Sequence, residues 1–263
     1  MTVSSTTTGG DWLRVFNPRP APRMRLFCFP HAGGAASAFH QLAGLLPESI
    51  EVVAVQYPGR QDRYGEPMPR SMGHLVTEIT DAVAGRLDVP AAFFGHSMGA
   101  TVAFETARRL RATHPAAVRR LFASARRAPH IDTSRALDFA DDAAAMAYID
   151  ALGGTGAQLL KDAELRGLVL PVLRADFRLI AGYRYVPGAP LTCPITAIAG
   201  DADASFALTD AAQWNRHTIA GCDTRELPGG HFYLEDEMPA LAGLVLDVLV
   251  ADLPVLQTPA RSL

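Results

Sequence analysis

Gly95-His96-Ser97-Met98-Gly99 is the stretch of this sequence whose residue types most directly suggest chemistry. A serine hydroxyl is a poor nucleophile until a neighbouring base takes its proton. The G-x-S-x-G spacing suits a sharp, strained turn from strand to helix, which thrusts the serine out at the carboxyl edge of a sheet. The flanking sequence fits. An apolar run, residues 91–94, comes before the turn, and a helix-forming run opens at Ala100-Thr101-Val102 after it. An ordinary Gly-rich turn with a structural serine is the plainer alternative.

The base must come from a histidine later in the chain, with an acid between nucleophile and base. His231 lies in P-G-G-H-F-Y, where two glycines let a loop approach the turn closely. His40, His74, His114 and His217 lie in or beside helix patterns. His96 adjoins Ser97 but is expected to point elsewhere, and His130 opens a helical region. Asp203, the last residue of G-x-x-D after an apolar run, is the expected acid, with Asp201 as its competitor. Asp203 would orient the His231 ring and stabilise its charged form. A tetrahedral intermediate needs two backbone donors. Met98, next to the nucleophile, is one candidate. Ala32, in Pro30-His31-Ala32-Gly33-Gly34, is the other. A glycine turn without catalytic contact is the alternative for that loop.

The elements that position these residues follow from apolar patterning. Short, largely apolar runs at 24–29, 51–55, 91–94, 121–124 and 194–199 predict strands buried on both faces, and T-R-E-L at 224–227 is read as the last strand. Helical patterns at 37–46, 71–87, 100–110 and 238–250 alternate with them, which predicts a mostly parallel sheet flanked by helices. The rhythm breaks at 129–189. There Asp141-Asp142 caps one helix that Gly153-Gly154 stops. A second helix starts at Lys161 or Pro171 and runs to about Tyr185. The expected organisation is a lead-in and flexible tail at 1–22, an α/β core at 23–128 and 190–252, a helical lid at 129–189 and a tail at 253–263.

Composition narrows the class. Of 263 residues, 49% are hydrophobic and 19% charged, which supports a sizeable core. The net charge of −3 is spread without blocks, so no nucleic-acid partner is expected. No apolar run reaches the roughly 20 residues that span a membrane, and the N-terminus lacks a signal-peptide pattern. A cytoplasmic monomer is the expectation. Cys28, Cys193 and Cys222 have no metal-like spacing and read as buried small apolar residues. Lys161 is the only lysine, which composition bias in the coding sequence explains most simply.

Taken together, F-C-F-P-H-A-G-G, Y-P-G-R, G-H-S-M-G-A, the 200–203 turn, L-R-A-D-F-R-L-I-A-G-Y-R-Y and L-P-G-G-H-F-Y-L resemble the type II thioesterases. These are the stand-alone editing enzymes of polyketide synthases and nonribosomal peptide synthetases, with the α/β-hydrolase fold. The likeness spans roughly residues 10 to 250. It implies serine-dependent hydrolysis of acyl groups stalled on the phosphopantetheine arm of acyl or peptidyl carrier proteins, with no metal or organic cofactor. Carrier domains are commonly acidic, so Arg60, Arg63, Arg126 and Arg127 are candidates to steer them. A small-molecule esterase, a fatty acyl thioesterase, a cyclase and a non-catalytic binding protein are the other functions this framework can carry.

Overall fold

The computed structural model describes residues 12–133, 137, 139 and 141–252. The tail expected at 253–263 and most of the polar N-terminal segment lie outside these residues.

Seven strands form one sheet in the order β1-β3-β2-β4-β5-β6-β7. They are β1 (Leu13–Arg14), β2 (Met24–Phe29), β3 (Ile50–Val55), β4 (Ala91–His96), β5 (Val118–Ser124), β6 (Ile195–Gly200) and β7 (Cys222–Leu227). β1 pairs antiparallel with β3, and every other pairing is parallel. β2, β3, β4 and β6 are buried along their whole length, which is why they read as largely apolar runs; the charges of Arg25 in β2 and Glu51 in β3 pair with each other at 2.7 Å. β7 is the edge and stays half-exposed, so its C-D-T-R-E-L sequence alternates only weakly.

Side chains one residue apart on a strand go to opposite faces. Phe27, Phe29 and Phe93 enter one core, while Leu26, Cys28 and Phe94 enter the other. The first core is covered by α2 (Met72–Ala84) and α3 (Met98–Thr113). The second is covered by α1 (His40–Leu45) and α8 (Met238–Asp252). Ser71 starts α2 by accepting the His74 N–H at 3.1 Å.

Between β5 and β6 the chain makes only helices among the described residues. They are α4 (Asp142–Leu152), α5 (Gly154–Leu159) and α6 (Ala163–Gly182). Asp141 caps α4 through the Ala144 N–H at 2.9 Å, and Gly153 (φ 75°) ends it. Asp162 caps α6 through two N–H groups, so the helix begins before Pro171 rather than at it. Pro171 then sits inside α6, where it has no N–H to offer the turn before it.

The expected core elements are present with ends shifted by up to three residues, and α2 stops at Ala84 rather than at residue 87. Elements not anticipated include β1, α5, α7 (Leu208–Ala211) and the 3-10 turns Gln61–Arg63, Ala212–His217 and Tyr233–Glu235. The helix expected at 37–46 is a 3-10 turn, Ala36–Phe39, that runs into the short α1.

Candidate active site

Ser97 joins β4 to α3 with φ 54° and ψ −117°, a conformation that costs free energy in a non-glycine residue. The surrounding backbone leaves no alternative. A Cβ on Gly95 would lie 2.3 Å from the Gly99 carbonyl oxygen, and one on Gly99 would lie 2.0 Å from that of Phe29. The two glycines therefore let the elbow close on itself and let α3 approach the end of β2. The Ser97 N–H is held by the Ser124 carbonyl at 2.8 Å.

Ser97 Oγ lies 3.0 Å from His231 Nε2, and His231 Nδ1 lies 2.8 Å from Asp203 Oδ2. Ser97 and His231, 134 positions apart in the chain, thus meet side chain to side chain. His231 and Asp203 are both buried. The loops that carry them are fastened together by backbone. The Ala202 N–H donates to the Gly229 carbonyl at 2.9 Å, and Asp201 accepts the Gly229 N–H at 2.8 Å. Gly200 makes this approach possible, because a Cβ there would sit 2.4 Å from the Gly229 and Gly230 carbonyl oxygens. Asp201, the competitor for the acid position, is exposed and holds the histidine loop rather than the histidine.

Asp203 has a second set of partners that sequence reasoning missed. Its Oδ1 accepts the Ser205 N–H at 2.8 Å and the Ser205 Oγ–H at 2.7 Å. The D-x-S spacing was the available signal, since an aspartate that bonds the N–H two residues on forms a local turn. Burial pushes the Asp203 carboxyl up. The His231 bond and charge and both Ser205 bonds outweigh it, so the carboxyl stays below its ordinary range and ionised.

Two further histidines lie against the site. His96 turns away from Ser97, as expected. Its Nδ1 meets Ser124 Oγ at 2.8 Å, and Ser124 Oγ meets the Tyr233 hydroxyl at 2.6 Å. Burial, then the neighbouring His231 and His31, hold His96 well below the ordinary histidine range. Burial, then His231 and Arg60, bring His31 down to about 4. Both rings are neutral at pH 7, and neither is the ring that faces Ser97 Oγ, which is His231. Among the described residues, no group of three His, Cys, Asp or Glu side chains is arranged to hold a metal ion.

The 30–34 loop crosses the elbow. Its Gly33 N–H is taken by Asp176 Oδ2 at 2.8 Å, and its Gly34 N–H by the His31 carbonyl at 3.0 Å. Met98 is the first residue of α3, directly after Ser97.

The arginines expected at an entrance behave otherwise. Arg60 is only 5% exposed and forms a two-pronged pair with Asp176 at 2.8 and 3.0 Å. Arg63 is buried over the Trp12 ring and pairs with Glu66. Arg126 bonds Thr101 and Thr133, and burial lowers its pKa. Arg127 is exposed but is paired with Asp210 at 3.0 Å. The planar guanidinium serves as an interior cross-link at Arg60 and Arg63, each paired with a carboxylate.

The thioesterase domain model matches residues 24–249. The chain is 43% identical over 260 residues to thioesterase PikA5 of Streptomyces venezuelae, covering 95% of this chain and 91% of that protein. Its structure superimposes with a TM-score of 0.81 on the type II thioesterase BorB from the borrelidin biosynthetic cluster. That pair is 37% identical, covering 92% of this chain and 98% of BorB. With YbtT, the type II thioesterase of the yersiniabactin NRPS/PKS pathway, the TM-score is 0.80 at 28% identity, covering 94% of this chain and all of YbtT. The chain, with its mostly parallel sheet and its Ser97 elbow, belongs to the thioesterase family and has the α/β-hydrolase fold.

Proposed function

We propose that this protein is a serine thioesterase that releases acyl groups from the phosphopantetheine arm of carrier proteins, clearing stalled or aberrant units during polyketide or nonribosomal peptide assembly. The observation that carries the reading is the continuous path Ser97 Oγ–His231–Asp203, at 3.0 and 2.8 Å. The relatives named for such pathways supply the substrate class.

In this reading His231 Nε2 takes the Ser97 proton as Oγ attacks the thioester carbonyl. Asp203, ionised and fixed by Ser205, keeps the other ring nitrogen protonated and stabilises the imidazolium. The negative charge formed on the carbonyl oxygen is received by the N–H groups of Met98 and Ala32, each worth roughly 3 kcal/mol. Ala32 is the amide of the 32–34 run not already bonded to Asp176 or to the His31 carbonyl. His231 then protonates the departing sulfur, whose thiol has a pKa near 8.5 and leaves readily. A water molecule deprotonated by His231 attacks the acyl-serine and restores Ser97.

Helices α4–α6 serve as the lid, within the 129–189 segment. Gly154, at the start of α5, lies so close to Phe232 that a Cβ would be 2.6 Å from its ring, and Leu173 of α6 sits over Gly33. The insertion therefore touches the loops on both sides of Ser97. The protein would work as a cytoplasmic monomer beside its carrier partners. Among the described residues no helix is long and apolar enough to cross a membrane.

Hydrolysis of acyl-carrier proteins, acyl-coenzyme A and aryl esters, measured side by side, tests the reading. Carrier-bound substrates should be preferred, and Ser97→Ala should abolish all three activities. Undiminished turnover by Ser97→Ala, or absence of a fluorophosphonate adduct on Ser97, would reject it.

A further inference from the structure

Asp176 has no place in the proton path, yet it is 1% exposed and reaches the catalytic loops from the middle of α6. One of its oxygens, Oδ2, accepts both the Gly33 N–H and Arg60 Nη1, each at 2.8 Å. The other accepts Arg60 Nη2 at 3.0 Å. Arg60 in turn donates to the Gly34 carbonyl at 3.0 Å and to the Pro58 carbonyl at 3.2 Å. The loop is thus gripped at an N–H and at a C=O on the two residues that follow Ala32. Three residues before Asp176 on the same helix, Leu173 presses on Gly33, where a Cβ would lie 2.5 Å from its side chain. Residues three apart share a helix face, so one face of α6 both covers the loop and holds it.

We infer that Asp176 is a positioning residue through which α6 sets the Ala32 amide, so that the oxyanion-binding loop is complete only while this helix of the insertion is seated. The inference rests on the proposed roles of Ser97 and Ala32 and adds to them a coupling between insertion and hole. Gripping Gly33 N–H and Gly34 C=O restricts the backbone rotation that would turn Ala32 away. A misplacement of about 1 Å at such a donor can cost on the order of 100-fold in rate. A helix that withdraws to admit a long substrate arm would release the loop, and reseating it would restore the donor.

The test compares Asp176→Asn with the double variant Arg60→Met/Asp176→Leu. The double variant leaves no unpaired buried charge and so is expected to fold even if the single one does not. Folding is checked by thermal unfolding, and kcat and KM are measured on an acyl-carrier protein. Binding of a trifluoromethyl ketone, which forms a tetrahedral adduct on Ser97, is measured beside binding of the free acid product. The expected result is a fall in kcat of about 10- to 100-fold, with KM within about threefold. Affinity for the ketone should fall in parallel, and affinity for the acid should not change. A folded variant with kcat and ketone affinity within twofold of the parent protein overturns the inference, as does a loss confined to KM. Ser97→Ala, run alongside, separates the two layers. If it is inactive while the Asp176 variants are normal, this inference alone fails. If it stays active, the catalytic reading beneath it fails.

Discussion

Replacing Asp203 by asparagine should cut kcat by about 10⁴, on the order of 5 kcal/mol in the barrier. The size follows from which way the new amide must face. Ser205 presents a backbone N–H to Asp203 Oδ1 at 2.8 Å, and that group can only donate. The oxygen of the introduced amide is therefore held on the Ser205 side, and its NH2 group is directed to His231 Nδ1, 2.8 Å away in the parent protein. Two N–H groups cannot face one another there, so His231 moves its proton to Nε2. Nε2 then donates to Ser97 Oγ at 3.0 Å and can no longer take its proton. The assay is steady-state hydrolysis of an acyl thioester near pH 7.5, with thermal unfolding to show that the variant is folded. Asp201→Asn is the paired control, because the Asp201 carboxylate accepts the Gly229 N–H in the same pair of loops and is exposed. It should keep kcat within about threefold, since one exposed hydrogen bond contributes little. An Asp203→Asn enzyme within tenfold of the parent, or equal losses in the two variants, would refute the tautomer argument.

Three other outcomes follow from the same contacts. Ser205→Ala removes the Oγ bond to Asp203 at 2.7 Å and the Oγ contact with His231 Nδ1 at 3.1 Å but keeps the backbone bond to Asp203, so kcat should drop about three- to tenfold with KM unchanged; an unaltered kcat would show that Ser205 is incidental. Gly99→Ala sets a Cβ 2.0 Å from the Phe29 carbonyl oxygen, a backbone clash that no rotamer relieves. It should cost about 3 kcal/mol, near 10 °C in Tm, and a Tm within 2 °C of the parent would contradict the strain account. Stability should also fall on mild acidification. His217, 3% exposed, is held at about 4, first by burial and then by His130, Arg108 and Arg216, and His31 is also brought to about 4. The unfolded chain binds these protons near 6.5 while the folded chain resists them until about 4. The contribution is thus complete above 6.5, declines between 6.5 and 4 and is flat below. For His217 alone the loss by pH 5 is about 2 kcal/mol, read from urea unfolding at pH 7, 6 and 5; a level profile across that window would sink the assignment of neutral buried rings.

The positions of Ser97, His231 and the β2–β7 strands could be read from sequence because each is written locally. A strand buried on both faces must be apolar throughout, and a strained elbow must have small neighbours at Gly95 and Gly99. Elements without such a local mark escaped. β1 is two residues of an antiparallel edge, Leu13 and Arg14, with no room for a periodic pattern. The 3-10 turn at 212–217 carries Trp214 and His217, whose burial depends on Phe104 and Arg126 from elsewhere in the chain. Arg60 and Arg63 failed as surface candidates for the same reason. Nothing within the Y-P-G-R segment says that Arg60 will meet an aspartate 116 positions later.

That distance also explains why the support of the site is harder to read than the site itself. Chemistry demands particular residue types in a particular order, so Ser, Asp and His leave a trace that survives without coordinates. Orientation demands only that some donor meet some acceptor, and many residue pairs at many separations can do that. Asp203 illustrates both halves. Its bond to His231 was expected from the G-x-x-D turn, whereas its bonds to Ser205 came from a two-residue offset common to many turns. Gly200 belongs to a third kind, because its small size matters only where its loop meets the Gly229 and Gly230 carbonyl oxygens, 2.4 Å from an absent Cβ. A substitution that spares Ser97, His231 and Asp203 but enlarges Gly200 should therefore part the two loops and disable the relay with every reacting group still present.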